Sequence, residues 1–383
     1  MLRRQFLNTL PPFIALGAAA TVGLPVAAQS GREGEFYSFA STAAMTGPLA
    51  SFGTGMKQGV DAAFAQANAR GGVNGRKLRF NVLDDAYVPT RSVVNIKKIL
   101  DDADILGIMG CVGTPNNAVI TPLIEATSLV HLAPMTGATS LRRPDSRNVF
   151  HVRASYTDET RRLVHNLVGM GIRSLAIVHL DNAYGKEVLG DVTLALEEAG
   201  IKTVAQVALA TDGSNIDAVV SSVLAAKPAA VLLGTAGTAT TGVVAALRKG
   251  SSLIPIAGIS PALTPEGIKQ LGESAKGIAL TMVFPDPTRA KSQLVREYQT
   301  AMKTNGSDNF TPSGLEGYVS GRVMVEALQR SGRDANRDKI RAAIAGIRNF
   351  DLGGFVIDYA SKPYVGSKFV DLGILSADGR MRG

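Results

Sequence analysis

The chain has 383 residues, a formal net charge of +8 at pH 7, 45% apolar residues and one cysteine. That length and apolar share suffice for two globular domains, each with its own core. The single Cys111 excludes internal disulfides and a thiolate cluster for a metal, and reads as a small buried hydrophobe.

Arg3 and Arg4 precede an apolar stretch from Phe13 to Leu24, and Val26, Ala27 and Ala28 offer a small-residue cleavage site. This is the pattern of a removable export signal over residues 1–28, with the mature chain beginning near Gln29. The stretch is short, diluted by glycine and alanine, and lacks the stop-transfer charge of an anchor. Arg3-Arg4-Gln5-Phe6-Leu7 also resembles the twin-arginine export motif, from which Leu2 and Asn8 depart. No cysteine near the cleavage site can carry a lipid, so the expected product is a secreted periplasmic protein that diffuses freely. Losing Arg3 and Arg4 reduces the charge from +8 to +6. The remaining basic residues, among them Arg70, Arg76, Lys77, Arg79, Lys97, Lys98, Arg142 and Arg143, are scattered without interleaved aromatics. They read as a solvated exterior, and no nucleic-acid partner is expected.

Strand and helix patterns then alternate. Strands are predicted over Tyr37–Ala44, Leu78–Leu83, Ile105–Met109 and Val130–Ala133, separated by helices over Gly53–Arg70, Thr90–Asp101 and Asn116–Ala126. After a polar loop from Leu141 to Asn148 the rhythm restarts. Helices are expected over Asp158–Met170, Lys186–Ala199, Asn215–Ala225 and Thr240–Lys249, and strands over Leu175–His179, Thr203–Ala208, Ala230–Gly234, Ile254–Gly258 and Ile278–Val283. Single helices between strands imply right-handed crossovers and parallel sheets covered on both faces, an α/β architecture in two lobes. The remainder differs: helices over Lys291–Thr304, Pro312–Ser331 and Arg337–Ala345 precede extended pieces near Phe355–Asp358 and Lys368–Leu375, a tail that returns to complete the earlier lobes.

Many of the 41 glycines fall at strand-to-helix turns, including Gly47, Gly53, Gly113, Gly137, Gly185 and Gly237. Ligands of parallel sheets sit outside the carboxyl ends of the strands, where helix N-termini present free N–H groups. Gly53-Thr54-Gly55 with Gly59 has the wrong spacing for a dinucleotide fingerprint. No nucleophile elbow, phosphate-binding loop or zinc-protease motif occurs, and the four histidines lack partners at metal-ligand spacing. No cofactor or metal is expected.

Several motifs occur in a shared order. They are Met45-Thr46-Gly47-Pro48-Leu49-Ala50-Ser51-Phe52-Gly53, Gly71-Gly72-Val73-Asn74-Gly75-Arg76-Lys77-Leu78, Asp84-Asp85, Gly113-Thr114-Pro115 and Ala133-Pro134-Met135-Thr136-Gly137-Ala138. Then come Val152-Arg153-Ala154-Ser155 with Asp158-Glu159, Asp181-Asn182-Ala183-Tyr184-Gly185, Gly258-Ile259-Ser260 and Leu315-Glu316-Gly317-Tyr318. Together they resemble the periplasmic branched-chain amino-acid-binding protein family over nearly all of the mature chain. The resemblance implies a type I periplasmic-binding-protein fold, two doubly wound parallel-sheet lobes joined by three crossovers. Residues 29–155 plus 284–372 would form one lobe, and 156–283 plus 373–383 the other.

The resemblance also implies a site. A ligand carboxylate would be held by Gly113 and Thr114 and by Met135, Thr136 and Gly137, where helix N-termini suit an anion. Phe52 would form an aromatic wall and Tyr184 a second ring from the other lobe, with Tyr156 and Gly237 completing the set. The family's amino-acid binders pair the ligand's ammonium with a glutamate at the position of Ser260, and carry a tyrosine at the position of Ala236. An unpaired buried ammonium is costly, so either Asp158 or Asp181 substitutes or the ligand has no ammonium.

The function implied is a non-enzymatic, monomeric receptor of an ABC importer that captures a small carboxylate-bearing solute by hinge closure and presents it to membrane permease subunits. The solute would be a hydrophobic or aromatic organic acid, or a branched-chain-type amino acid. A ligand sensor of the same fold, distinguishable by gene neighbourhood, and a secreted hydrolase, distinguishable by turnover of esters and amides, are the competing readings.

Overall fold

The computed structural model describes residues 36–251 and 253–382. The expected export segment and its cleavage point lie outside them. From the first described residue the chain runs β1 (Phe36–Ala43), α1 (Ala50–Ala69), β2 (Lys77–Asp84), α2 (Pro89–Asp101), β3 (Ile105–Met109), α3 (Thr114–Glu125), β4 (Val130–Leu132) and β5 (Val149–Phe150). These strands form one parallel five-stranded sheet in the order β2-β1-β3-β4-β5. Alternation along β1 builds a core on each face. Tyr37 and Phe39 pack with α1, while Ala40 joins Ile96, Ile99, Ile120 and Ile124 of α2 and α3.

The chain continues through α4 (Tyr156–Gly169), β6 (Ser174–Leu180), α5 (Ala183–Glu198), β7 (Lys202–Leu209), α6 (Ile216–Ala225), β8 (Ala230–Gly234), α7 (Thr238–Gly250), β9 (Ile256–Gly258), α8 (Pro265–Leu271) and β10 (Ala279–Met282). It then forms α9 (Gln293–Thr304), α10 (Pro312–Ser331), α11 (Arg337–Ala345), the hairpin β11 (Phe350–Asp351) and β12 (Val356–Ile357), and finally β13 (Asp371–Leu375) and β14 (Met381–Arg382). The second sheet has seven strands in the order β14-β13-β10-β9-β8-β6-β7, in which the β10–β13 and β13–β14 pairs are antiparallel and the rest parallel. A continuous core of Val, Leu, Ile and Ala fills it. Both sheets are doubly wound.

Helices α9, α10 and α11 return to the five-stranded sheet and pack in the core of α1. The contact of α10 with α1 is made by backbone. A Cβ on Gly59 would lie 1.9 Å from the Gly314 oxygen, and one on Gly317 would lie 2.1 Å from the Met56 oxygen. Glycine at those positions lets the two axes approach closely and helps bring the start of α10, with Glu316, within reach of Arg153.

Several helices start earlier than periodicity indicated, because their caps lie outside the apolar pattern. Ser155 caps α4 in a reciprocal capping box with Asp158, so the helix begins at Tyr156 rather than Asp158. The two-residue β5 lies just beyond the predicted polar loop, and α8 follows its Thr264 cap in a stretch for which no element was predicted. The return to the second sheet begins at Asp371, two residues before the expected boundary at 373, because β13 pairs with β10 from that residue. Arg142, expected on the exterior, is 8% exposed. Its side chain is drawn inward by backbone carbonyls.

Candidate functional site

In the first sheet β1 lies between β2 and β3, and in the second β6 lies between β7 and β8, so each sheet has its switch of winding direction there. A crevice opens outside the carboxyl ends of the strands at such points. The two crevices meet. A Cβ on Gly237, after β8, would lie 2.6 Å from Leu49 Cδ2 and 2.8 Å from the Pro48 oxygen of the turn after β1. Farther along the rim the Ser140 amide donates to Glu187 Oε1 at 2.9 Å.

On the first sheet's side, Thr114 and Thr136 share a hydrogen bond between hydroxyls at 2.8 Å, and both are buried. The Ala138 amide donates to Thr136 Oγ1 at 3.1 Å. Rings close over the neighbouring glycines. A Cβ on Gly113 would lie 2.2 Å from the Tyr87 ring, and one on Gly137 would lie 2.3 Å from the Tyr156 ring. Gly113 has φ +93°, a left-handed backbone that favours glycine. Tyr156 meets Tyr184 edge-on with centroids 5.4 Å apart, and Tyr184 Oη donates to the Thr235 carbonyl at 3.2 Å. Burial pushes the phenols of Tyr87 and Tyr184 up, so both remain neutral. Ala236 is 8% exposed beside Thr235, whose buried hydroxyl has no partner.

A second cluster lies where the chain passes from the first sheet to α4. Arg153 Nη2 is 3.3 Å from Glu159 Oε1 and Nη1 is 3.3 Å from Glu316 Oε2, and all three side chains are buried. Arg153 Nη2 also donates to Ser260 Oγ at 2.5 Å. Glu159 accepts from the Ser260 amide at 2.8 Å and from Thr281 Oγ1 at 2.5 Å. Burial alone would weaken the guanidinium's hold on its proton, but the Glu316 and Glu159 carboxylates raise the pKa above the ordinary arginine value. Burial raises the Glu316 carboxyl despite Arg153, and its Oε1 has no partner.

Beside this cluster is a cavity of about 300 Å³ bordered by Phe52, Met135, Arg153, Ser260, Thr281 and Glu316. It continues between apolar side chains of both halves, including Leu263, Phe284, Phe310 and Met381. A small polar end and a long apolar wall are the features of a site for an amphipathic small molecule.

Of the sequence-predicted residues, Phe52, Met135 and Ser260 border the cavity. Gly113, Thr114, Thr136, Gly137, Tyr156, Tyr184, Ala236 and Gly237 gather at the closed crevice beside it. The two aspartates do neither. Asp158 is engaged by the Ser155 amide and hydroxyl at 3.0 and 2.6 Å. Asp181 is 62% exposed and lies 3.4 Å from Lys186. Neither is placed to receive a ligand's ammonium. Sequence reasoning missed Tyr87, Arg142, Arg153, Glu159, Thr281 and Glu316 as site residues. Arg153, Glu159 and Glu316 nevertheless lie inside the resemblance motifs, a signal that could have singled them out. Among the described residues no group of three or more potential ligands could hold a metal, and no helix is long and apolar enough to cross a membrane.

The model of the periplasmic binding protein family matches residues 38–365. A Leu/Ile/Val-binding protein homolog of Brucella melitensis is 25% identical over 217 residues, 56% of this chain and 57% of the relative. A leucine-, isoleucine-, valine-, threonine- and alanine-binding protein of Pseudomonas aeruginosa is 23% identical over 318 residues, 78% of this chain and 79% of the relative. An extracellular ligand-binding receptor from Verminephrobacter eiseniae superposes with a TM-score of 0.84 at 27% identity, covering 90% of this chain and 99% of the receptor. With its two doubly wound sheets in the type I arrangement, the chain belongs to the periplasmic binding protein family.

Proposed function

We propose that the chain is the solute receptor of an ABC importer, not an enzyme, and that its solute is a small hydrophobic organic acid without an α-ammonium. The observation that carries this reading is the Arg153 guanidinium, 2.5 Å from Ser260 Oγ. The protein's own cation stands beside Ser260, the position at which the resemblance implies a glutamate for a ligand's ammonium. Arg153 already engages both carboxylates that reach this turn, Glu159 and Glu316, at 3.3 Å, so a ligand's ammonium would have to compete with the protein's own cation for its counter-charge.

The acid's carboxylate would take the hydroxyls of Thr114 and Thr136 in place of their mutual bond, together with the free amides at the start of α3. Its apolar body would fill the cavity along Phe52 and Met135. Closure over it would leave a surface that permease subunits can distinguish from the open form.

Calorimetric titration of matched pairs tests the reading: phenylalanine against phenylpropanoate, and leucine against isocaproate. Tighter binding of the acids is expected. A second reading, an amino acid whose ammonium pairs with Glu316, draws on the partnerless Glu316 Oε1. Tighter binding of the amino acids, lost in Glu316→Gln, would replace the first reading with that one.

A further inference from the structure

Arg142 is 8% exposed, yet no carboxylate stands within ion-pair distance of it among the described residues. Its guanidinium donates only to backbone carbonyls: Ala138 at 2.7 Å, Ala154 at 3.1 Å, Arg153 at 3.2 Å and Thr136 at 3.4 and 3.5 Å. The Nε proton has no partner. A carbonyl carries only a partial negative charge, so most of the buried positive charge is left uncompensated at close range.

The four carbonyls belong to two segments. Thr136 and Ala138 flank the turn that carries the Thr136 hydroxyl and Gly137, while Arg153 and Ala154 carry the chain toward α4. Arg142 therefore ties the turn to the crossing and places a full charge behind it. The ionisable groups that interact with it electrostatically are Arg153, Tyr156, Asp158, Glu159, Asp191, Glu316 and His151, and none of these carboxylates comes within ion-pair distance. Asp158 is held by Ser155 and Glu159 by Arg153, Ser260 and Thr281. Neither is free to neutralise it.

We propose that Arg142 is a positioning and charge-selecting residue for the solute's carboxylate: it fixes the Thr136–Ala138 turn from behind and makes the buried site prefer an anion over a neutral isostere, without touching the ligand. This rests on the acid-receptor reading above.

The test compares phenylpropanoate with phenylpropanamide, equal in body and different in charge, by calorimetry on the wild-type protein, Arg142→Gln and Arg142→Lys. The wild type is expected to prefer the acid. In Arg142→Gln the acid should weaken by about tenfold or more while the amide changes by less than about threefold. Arg142→Lys, which keeps the charge and loses the fork, should retain the preference. Equal losses for acid and amide in the glutamine variant would overturn the proposal and leave Arg142 a structural tie. If the glutamine variant does not fold, the lysine variant decides, and loss of acid preference there overturns it. A wild type that does not prefer the acid removes the acid-receptor reading as well, an outcome distinct from a preference that survives in Arg142→Gln.

Discussion

Glu159 accepts the Ser260 amide at 2.8 Å, so a carboxylate from α4 does reach the turn after β9 although that turn carries no acid of its own. Arg153 is seated on it at 3.3 Å and spans to Glu316 on α10. Three segments distant in sequence thus share one buried charge network at the junction of the two sheets.

Removing the central cation leaves two buried carboxylates uncompensated. Arg153→Met is expected to destabilise the fold by about 3–5 kcal/mol, whereas adding Glu316→Gln to it should recover part of the loss. Urea denaturation of the two single variants and the double variant measures the coupling. Additive losses would mean that Arg153 and Glu316 do not act as a pair.

The two threonine hydroxyls should matter to the ligand more than to the fold. Thr114→Val keeps the shape and removes one hydroxyl from the 2.8 Å pair with Thr136. We expect about tenfold weaker binding of phenylpropanoate, the worth of one hydrogen bond to a charged group. Unchanged calorimetric affinity would place the carboxylate elsewhere.

Gly237 combines φ +76° with direct contact to Pro48 and Leu49 across the crevice. Gly237→Val should strain the backbone and hold the halves apart. Weaker ligand binding and a larger radius of gyration by small-angle scattering with ligand present are the expected outcomes. A ligand-bound radius equal to that of the wild type would show that the contact does not limit closure.

His131 is buried without any partner for its ring nitrogens, and His151 is buried close to it. Burial lowers the His131 pKa from 6.5 to about 3, and burial together with Arg142 and His131 lowers that of His151 well below 6.5. The unfolded chain therefore binds more protons below pH 6.5. The stability these neutral rings allow is fully present above that pH and is lost as pH falls toward 3, by up to about 1.4 kcal/mol per pH unit for each ring. Thermal melts at pH 7 and pH 5 should show the decline, and His131→Leu should flatten it. The same slope in the variant would remove His131 as a cause.

Strand and helix alternation was legible because apolar periodicity is local: β3, β8, α10 and α11 occupy the spans that their patterns predicted. The turns at Gly113 and Gly137 were legible too, since a glycine between strand and helix marks backbone that another group approaches closely. Short elements such as β5 and β14, two residues each, carry no period and could not be read.

The sequence by itself therefore determined the two α/β sheets and which strand ends form the crevice. What only the tertiary structure decided is the charge inside it. Arg142 looks like one more surface arginine until four carbonyls draw it in, and Glu316 meets Arg153 across 163 residues. Asp158, two positions from Tyr156, was an obvious acid for a ligand yet turns back to its own helix cap, while its neighbour Glu159 reaches Ser260. Periodicity along the chain reports which face a side chain occupies. It carries no information about which distant charge meets it there, because that pairing arises only when the backbone approach of α1 and α10 and the return of the tail to the second sheet bring those segments together.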